Sequence, residues 1–236
     1  MSIFICSKPM WISSSFANCG ITNFGVKLIR LMRISALLSM ALMSSIIARA
    51  QSNGPFGIDH RLNWDETGIW KRSNQLTVAY GSILVVAGGV LYEGTESRLG
   101  QTFAKSMDSM VLGAIGSTAG KALFQRQRPS DANNPDAFFN RRTDTSFPSG
   151  EMTQISAVVT PFLLEYGKDS PAIWGLAALP AYVGIARMKS QAHWQSDILA
   201  GGALGAGVGY YAWQNHSSWT ASVLPKGLTV GYKAQF

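Results

Sequence analysis

A histidine and an aspartate lie four residues apart late in the sequence, in the run Arg187-Met-Lys-Ser-Gln-Ala-His193-Trp-Gln-Ser-Asp197. If this run is helical, the Asp197 carboxylate can accept the proton of one imidazole nitrogen of His193. That contact would fix the tautomer and leave the other nitrogen as a nucleophile. The same two residues also fit a capping pair at the start of the apolar segment that follows.

Two cations, Lys121 and Arg128, lie seven residues apart in the run Lys121-Ala-Leu-Phe-Gln-Arg126-Gln-Arg128-Pro129. A spacing of two turns places both on one side of a helix that Pro129 helps to end. Arginine offers a planar fork to two phosphate oxygens, and lysine offers a point charge. The helix dipole alone also favours cations at a helix C-terminus, so phosphate binding is one of two interpretations.

A serine and a glycine come directly before another apolar segment, in the run Ser146-Phe-Pro-Ser149-Gly150-Glu151. Ser149 is a typical N-cap residue, and the free backbone N–H groups near Gly150 would form an anion site. An ordinary helix start has the same composition, so this run by itself does not decide the function.

The three runs together resemble the signature of the PAP2 (type-2 phosphatidic acid phosphatase) and vanadium haloperoxidase superfamily. They have the forms Lys-x6-Arg-Pro, Pro-Ser-Gly and Arg-x5-His-x3-Asp, in that order, over Lys121–Asp197. The resemblance implies phosphatase chemistry without a metal or organic cofactor. It also implies that His193 attacks phosphorus to give a phosphohistidine and that Asp197 orients it. The phosphate cradle implied by the resemblance consists of Lys121, Arg128, Ser149, Gly150 and Arg187.

Two positions depart from the family pattern: Ala186 replaces a serine, and Glu151 replaces the histidine that protonates the leaving alcohol. A carboxylic acid can perform that step if it is protonated near the working pH. Nearby cations would lower its pKa, whereas burial or a bound phosphate would raise it. We therefore expect either a phosphatase that uses Glu151 or a weakened member that binds phosphorylated lipid or headgroups. A haloperoxidase is disfavoured, because peroxide activation in that branch also relies on the missing histidine.

Five apolar segments have the length of a buried helix or a short membrane span. They predict a mainly α fold, namely a PAP2-type helical bundle, and leave open whether it spans a membrane. Alternating directions along the bundle bring all three runs to one end. The five segments are Leu76–Tyr92, Met110–Leu123, Met152–Tyr166, Ala172–Ala186 and Ile198–Trp213.

The N-terminal 50 residues are typical of an export leader. Ile34–Ile47 is uncharged and largely apolar, follows a basic region, and precedes the small-x-small site Ala48-Arg49-Ala50. An uncleaved anchor is the alternative. Met32 is a more ordinary start for a signal peptide, so residues 1–31 are also interpreted as an upstream extension of the reading frame.

The remaining chain, which suits one domain, is divided by composition into three parts. Their limits are 51–74 for an irregular lead-in, 75–216 for the helical domain and 217–236 for a short β-hairpin with strands Trp219–Leu224 and Leu228–Phe236.

The charge pattern excludes a nucleic-acid partner. The net charge is +7, but five of the basic residues lie in the leader, and residues 51–236 contain fifteen bases against thirteen acids. Both cysteines, Cys6 and Cys19, lie in the leader, so the rest of the chain has neither a disulfide nor a cysteine metal site. We expect an exported protein of a bacterial-type envelope. Its site would face the periplasm and act on a phosphorylated small molecule or lipid at a membrane.

Overall fold

A computed structural model of the chain describes residues 53–131, 133–140, 145–215, 217, 219–224 and 227–232. The leader predicted over residues 1–50 lies outside these residues, as do residues 233–236 of the predicted second strand. Within the described part the chain is mainly helical, as the sequence predicts. Its helices are α1 (Arg72–Glu93), α2 (Arg98–Phe124), α3 (Gly150–Tyr166), α4 (Ala178–Lys189) and α5 (Gln195–Gln214).

Short elements complete the described chain. One 3-10 helix, Gly68–Trp70, precedes α1, and another, Pro171–Ala177, precedes α4. Strands β1 (Trp219–Leu224) and β2 (Gly227–Tyr232) pair antiparallel, with Trp219 opposite Tyr232.

Every predicted apolar segment lies in helical structure, but two boundaries differ. The segment Ala172–Ala186 is divided between the second 3-10 helix and α4. Helix α2 begins twelve residues before Met110, at Arg98, where the Ser97 hydroxyl accepts a hydrogen bond from the Gly100 amide at 2.9 Å. The fully buried face of this added part consists of small and polar residues, and its apolar residues at helical spacing, Phe103 and Met107, are only partly buried.

Helix α3 is central and lies against α2, α4 and α5. Its Ile155 and Val159 form a buried cluster with Val183 of α4. The contact with α5 depends on glycine, because a Cβ added at Gly205 would lie 2.2 Å from the Thr153 carbonyl oxygen. Small residues thus let the backbones of α3 and α5 approach closely.

One end of the bundle collects the helix ends that carry the three runs. Helices α2 and α4 end there, and α3 and α5 begin there. The lead-in covers the connection between α4 and α5: the Asp65 amide donates to the Lys189 carbonyl at 3.0 Å, and the Gln191 side chain donates to the Leu62 carbonyl at 2.7 Å.

Candidate active site

The two cations of the first run converge on a backbone carbonyl in the loop that leads to α3. Lys121 Nζ donates to the Thr145 carbonyl at 2.9 Å, and Arg128 Nη2 donates to the same oxygen at 3.4 Å. Arg128 Nη1 also donates to the Ala192 carbonyl, next to His193, at 3.0 Å. The first run therefore contacts the third run and the residue that directly precedes the second run.

The prediction that Lys121 and Arg128 share one side of a helix is wrong. Helix α2 ends at Phe124, and Gln125 has a left-handed backbone with φ of 46°. Arg128 consequently lies on the irregular segment beyond the helix. The cations meet because this segment turns back toward the α3 entrance, and not because of helical spacing.

Ser149 is the N-cap residue of α3, as predicted, but its hydroxyl makes no capping hydrogen bond. The side chain is fully buried, and Oγ has no hydrogen-bond partner. Its backbone amide donates to the Asp197 carbonyl at 3.1 Å, which joins the second and third runs. Gly150 faces the first run: a Cβ added there would lie 3.7 Å from Lys121 Cε.

Arg187 lies in the last turn of α4 and is buried. Its Nη1 donates to Gln75 Oε1 at 3.1 Å, while its Nε lies 3.5 Å from Glu151 Oε2 and makes no hydrogen bond. Burial, helped by the charges of Arg72 and Arg128, lowers the pKa of Arg187 to about 10, so it remains a cation at neutral pH.

His193 is buried in the loop before α5, and its ring is oriented by a backbone carbonyl. Nδ1 lies 2.7 Å from the Ser146 carbonyl oxygen and 3.8 Å from Asp197 Oδ2. A carbonyl oxygen only accepts, so Nδ1 carries the proton and Nε2 keeps its lone pair. Burial, together with the charges of Arg187 and Lys121, lowers the pKa of His193 to about 4. The imidazole is therefore neutral at physiological pH.

The predicted hydrogen bond between His193 and Asp197 is thus replaced by one to Ser146. The physical reason is that α5 begins at Gln195, so His193 lies outside the helix and the four-residue spacing does not hold. Asp197 instead caps α5, where Oδ2 accepts from the Trp194 amide at 2.8 Å. The sequence had left open such a capping role.

Arg126 holds the other oxygen of Asp197, and sequence reasoning missed it. Its Nη1 donates to Asp197 Oδ1 at 2.5 Å, and both side chains are fully buried. Burial alone would raise the pKa of Asp197, but the neighbouring His193 ring, the Arg126 charge and the Trp194 amide lower it on balance. Asp197 is therefore an ionised carboxylate, and the buried guanidinium of Arg126 balances its charge.

Asp59 of the lead-in completes this buried network. It accepts from Arg126 Nη2 at 2.6 Å and from the Ser196 amide and hydroxyl at 2.7 and 2.6 Å. Arg126 lies inside the first run, between two recognised cations, which is a usable sequence signal. Nothing local in the sequence marks Asp59, because its partners lie 67 and 137 residues away.

Glu151 is paired with Arg72, a second residue that sequence reasoning missed. Arg72 Nη2 and Nη1 donate to the two carboxylate oxygens at 2.6 and 2.9 Å. Burial alone would raise the pKa of Glu151, but the hydrogen bonds from Arg72 and the charges of Arg187 and Arg72 outweigh it and lower the pKa. Arg72 is the first residue of α1, where the helix dipole disfavours a cation, and that mismatch is the signal that could have found it.

A groove of about 540 Å³ leads away from these residues. Lys121, Gly150 and Glu151 line its polar end, and Ile83, Met110 and Val111 line its apolar side. In the part of the chain that the structure describes, no group of three or more His, Cys, Asp or Glu is placed to hold a metal ion.

Comparison with known proteins assigns this helical fold and three-part site to a class. The PAP2 superfamily model matches residues 106–221, which include all three runs. These residues therefore belong to the PAP2 superfamily.

One curated relative is the lipid A 1-phosphatase of Porphyromonas gingivalis, 33% identical over 124 residues. The match covers 51% of this chain and 25% of that protein, so the chain spans about a quarter of its relative's length.

Two solved structures are also similar, each at 17% identity. LpxE of Aquifex aeolicus has a TM-score of 0.44, with 60% of this chain and 84% of that chain covered. A transmembrane PAP2-type phosphatidylglycerolphosphate phosphatase from Bacillus subtilis has a TM-score of 0.45, with 80% and 92% covered.

Proposed function

We propose that the chain is a metal-independent phosphatase that hydrolyses a lipid-linked phosphate monoester or diphosphate through a phosphohistidine. The observation that carries this proposal is a pair of buried polar atoms. Among the described residues, the buried side-chain atoms without a hydrogen-bond partner are Ser149 Oγ and Arg187 Nε. An unpaired buried polar atom costs about 1–3 kcal/mol, so two of them in one predicted cradle require an explanation. Phosphate oxygens would satisfy both.

The proposed reaction uses His193 as the nucleophile. Its neutral ring has Nδ1–H donated to the Ser146 carbonyl, so Nε2 can attack phosphorus. The new Nε2–P bond forms as the bond from phosphorus to the leaving oxygen breaks, and the leaving group departs as an anion that can take a proton from solvent. Water then attacks phosphorus, the Nε2–P bond breaks, and the water gives up a proton to solvent as orthophosphate forms. Lys121, Arg128 and Arg187 balance the charge of the transferred group.

A lipid substrate is supported by the apolar surfaces around the site. The groove beside Lys121 and Glu151 changes from polar to apolar along its length. Among the described helices, α1 alone is long and apolar enough to cross a membrane, and only 17% of its most apolar stretch is buried. Its Leu84 and Tyr92 are 72% and 86% exposed. A protein that acts on lipid A is moreover among the relatives. We accordingly propose that the site opens at a membrane surface on the periplasmic side.

A second candidate is a weakened member that binds phosphorylated lipid without efficient turnover. The Arg72–Glu151 pair favours it, because a carboxylate held by a guanidinium is a poor proton donor. The deciding experiment measures phosphate release from phospholipids, undecaprenyl diphosphate and p-nitrophenyl phosphate, with His193→Ala as the control. The phosphatase proposal expects turnover by the parent alone. Turnover that survives His193→Ala would refute the mechanism, and binding without turnover would favour the second candidate.

A further inference from the structure

The carboxylate of Glu151 is engaged on both of its oxygens. Arg72 forms a fork with Nη2 on Oε1 at 2.6 Å and Nη1 on Oε2 at 2.9 Å, and Arg187 Nε lies 3.5 Å from Oε2. A protonated carboxyl group would present one O–H donor in place of an acceptor. The forked geometry therefore belongs to the ionised form.

Gln75 locks this arrangement in place. It is fully buried, and its Oε1 accepts from Arg72 Nη1 at 3.2 Å and from Arg187 Nη1 at 3.1 Å, while its Nε2 donates to the Trp70 carbonyl at 2.8 Å. The amide oxygen thus bridges the two guanidinium groups, and the Glu151 carboxylate lies between them, hydrogen-bonded to Arg72 and 3.5 Å from Arg187 Nε. Moving Glu151 away from Arg72 would break both of its hydrogen bonds.

The position of Glu151 makes its ionisation matter for the reaction. Glu151 lines the polar end of the groove with Lys121 and Gly150, so a substrate tail in that groove brings the leaving oxygen toward it. An alkoxide leaves poorly without a proton, because simple alcohols, like water, are very weak acids. A phosphate leaving group needs no proton, since the second pKa of a phosphate monoester is about 6.

We propose that this enzyme selects substrates whose leaving group departs as a stable anion, diphosphates above all, and hydrolyses simple alkyl phosphates poorly. This inference rests on the proposed phosphatase function and narrows its substrate class. The Arg72–Glu151 pair is the specificity-determining feature: it removes a proton donor from the leaving-group side and puts a guanidinium there.

The test compares kcat/KM for three soluble esters that differ in the leaving group: p-nitrophenyl phosphate, phenyl phosphate and hexyl phosphate. Phenol has a pKa of about 10, as in tyrosine, and falls between the other two leaving groups. Positioned general acids contribute about 10²–10⁴-fold. We therefore expect the parent to hydrolyse hexyl phosphate at least about 100-fold more slowly than p-nitrophenyl phosphate. The same comparison with a soluble isoprenoid diphosphate and monophosphate should favour the diphosphate.

Two variants separate this inference from a general loss of activity. Glu151→His introduces a proton donor and should raise the rate on hexyl phosphate by about 100-fold relative to p-nitrophenyl phosphate. Arg72→Gln removes the hydrogen bonds and one of the charges that lower the pKa of Glu151. The rate on hexyl phosphate relative to p-nitrophenyl phosphate should therefore rise here too, most strongly under mildly acidic conditions. Glu165→Gln is the matched control, because Glu165 lies at the far end of α3 and pairs with Arg98. It should leave the ratio of the rates on hexyl phosphate and p-nitrophenyl phosphate unchanged.

The possible failures are distinguishable. The inference would be overturned if the parent hydrolysed all three esters at similar rates, or if Glu151→Gln lost hydrolysis of the alkyl phosphate alone. Either result would show that Glu151 donates a proton, and the proposed phosphatase function would stand. No hydrolysis of any ester by the parent would overturn both proposals.

Discussion

Replacing Arg126 by methionine tests the buried charge network behind the site. The guanidinium is fully buried and pairs with Asp59 at 2.6 Å and with Asp197 at 2.5 Å. Methionine fills much of the same space but leaves two buried carboxylates without their cation. Removal of one partner from a buried ion pair costs about 3–5 kcal/mol. For a protein of this size each kcal/mol shifts Tm by about 2–4 °C, so we expect Arg126→Met to melt about 6–20 °C lower at neutral pH.

The pH dependence of this loss gives a second, independent signature. In the parent the pKa of Asp197 is lowered, so its stabilisation is present above the pKa of the unfolded chain and is lost as the pH falls. In Arg126→Met, burial acts on Asp197 without the cation and raises its pKa, so the carboxyl takes up a proton on acidification. The difference in Tm between parent and variant should therefore narrow between about pH 7 and about pH 4.

Circular dichroism of thermal unfolding measures both effects. Arg98→Met is the control, because Arg98 pairs with Glu165 and Asp169 through a side chain that is 53% exposed. Exposed ion pairs contribute little, so this variant should melt close to the parent. The reasoning is refuted if Arg126→Met melts no lower than Arg98→Met, or if the loss in Tm is the same at every pH.

Three further predictions concern the cradle, the nucleophile and the helix packing. Because the pKa of His193 is lowered to about 4, its imidazole NMR resonances should not titrate between neutral pH and about pH 5. A midpoint near the ordinary histidine value of about 6.5 would contradict this environment. Ser149→Ala removes a buried hydroxyl that has no hydrogen-bond partner among the described residues, so Tm should not fall. Inhibition by orthophosphate should weaken roughly 10–100-fold, as expected for loss of a hydrogen bond to a charged group, and unchanged inhibition would remove Ser149 from the cradle. Gly205→Ala brings a Cβ within 2.2 Å of the Thr153 carbonyl oxygen and should lower the free energy of unfolding by about 1–3 kcal/mol. Gly207→Ala, whose Cβ would have nothing within 4 Å, should be neutral or stabilising. Equal Tm values of the two variants would contradict the packing of α3 on α5.

The sequence predicts those parts of the site that depend on local pattern. Ser149 marks the start of α3 because an N-cap residue acts on the turn that follows it. Apolar periodicity places α1, α3 and α5, and alternation of helix directions brings Lys121, Arg187 and His193 to one end. The first half of α2 is not predicted, although Leu99, Phe103 and Met107 recur there at helical spacing, because small polar residues such as Thr102 and Ser106 form its fully buried face.

The contacts that define the chemistry depend on non-local geometry. A left-handed residue, Gln125, ends α2 early and sends Arg128 along a path that its spacing from Lys121 does not indicate. Helix α5 begins at Gln195, so His193 lies outside it. The His193 ring is therefore oriented by the carbonyl of Ser146, 47 residues earlier in the chain. Arg72 and Glu151 lie 79 residues apart in the sequence, so the pairing that keeps the carboxyl ionised is visible only in the folded structure.

The most direct test of the central claim is to trap the covalent intermediate. The parent, mixed with p-nitrophenyl phosphate and quenched in alkali to preserve phosphohistidine, is digested and mapped by mass spectrometry. The proposed mechanism predicts one alkali-stable, acid-labile phosphoryl group on His193, and none in the His193→Ala variant. Steady turnover by the parent without a phosphoryl group on His193, together with turnover by His193→Ala, would contradict it.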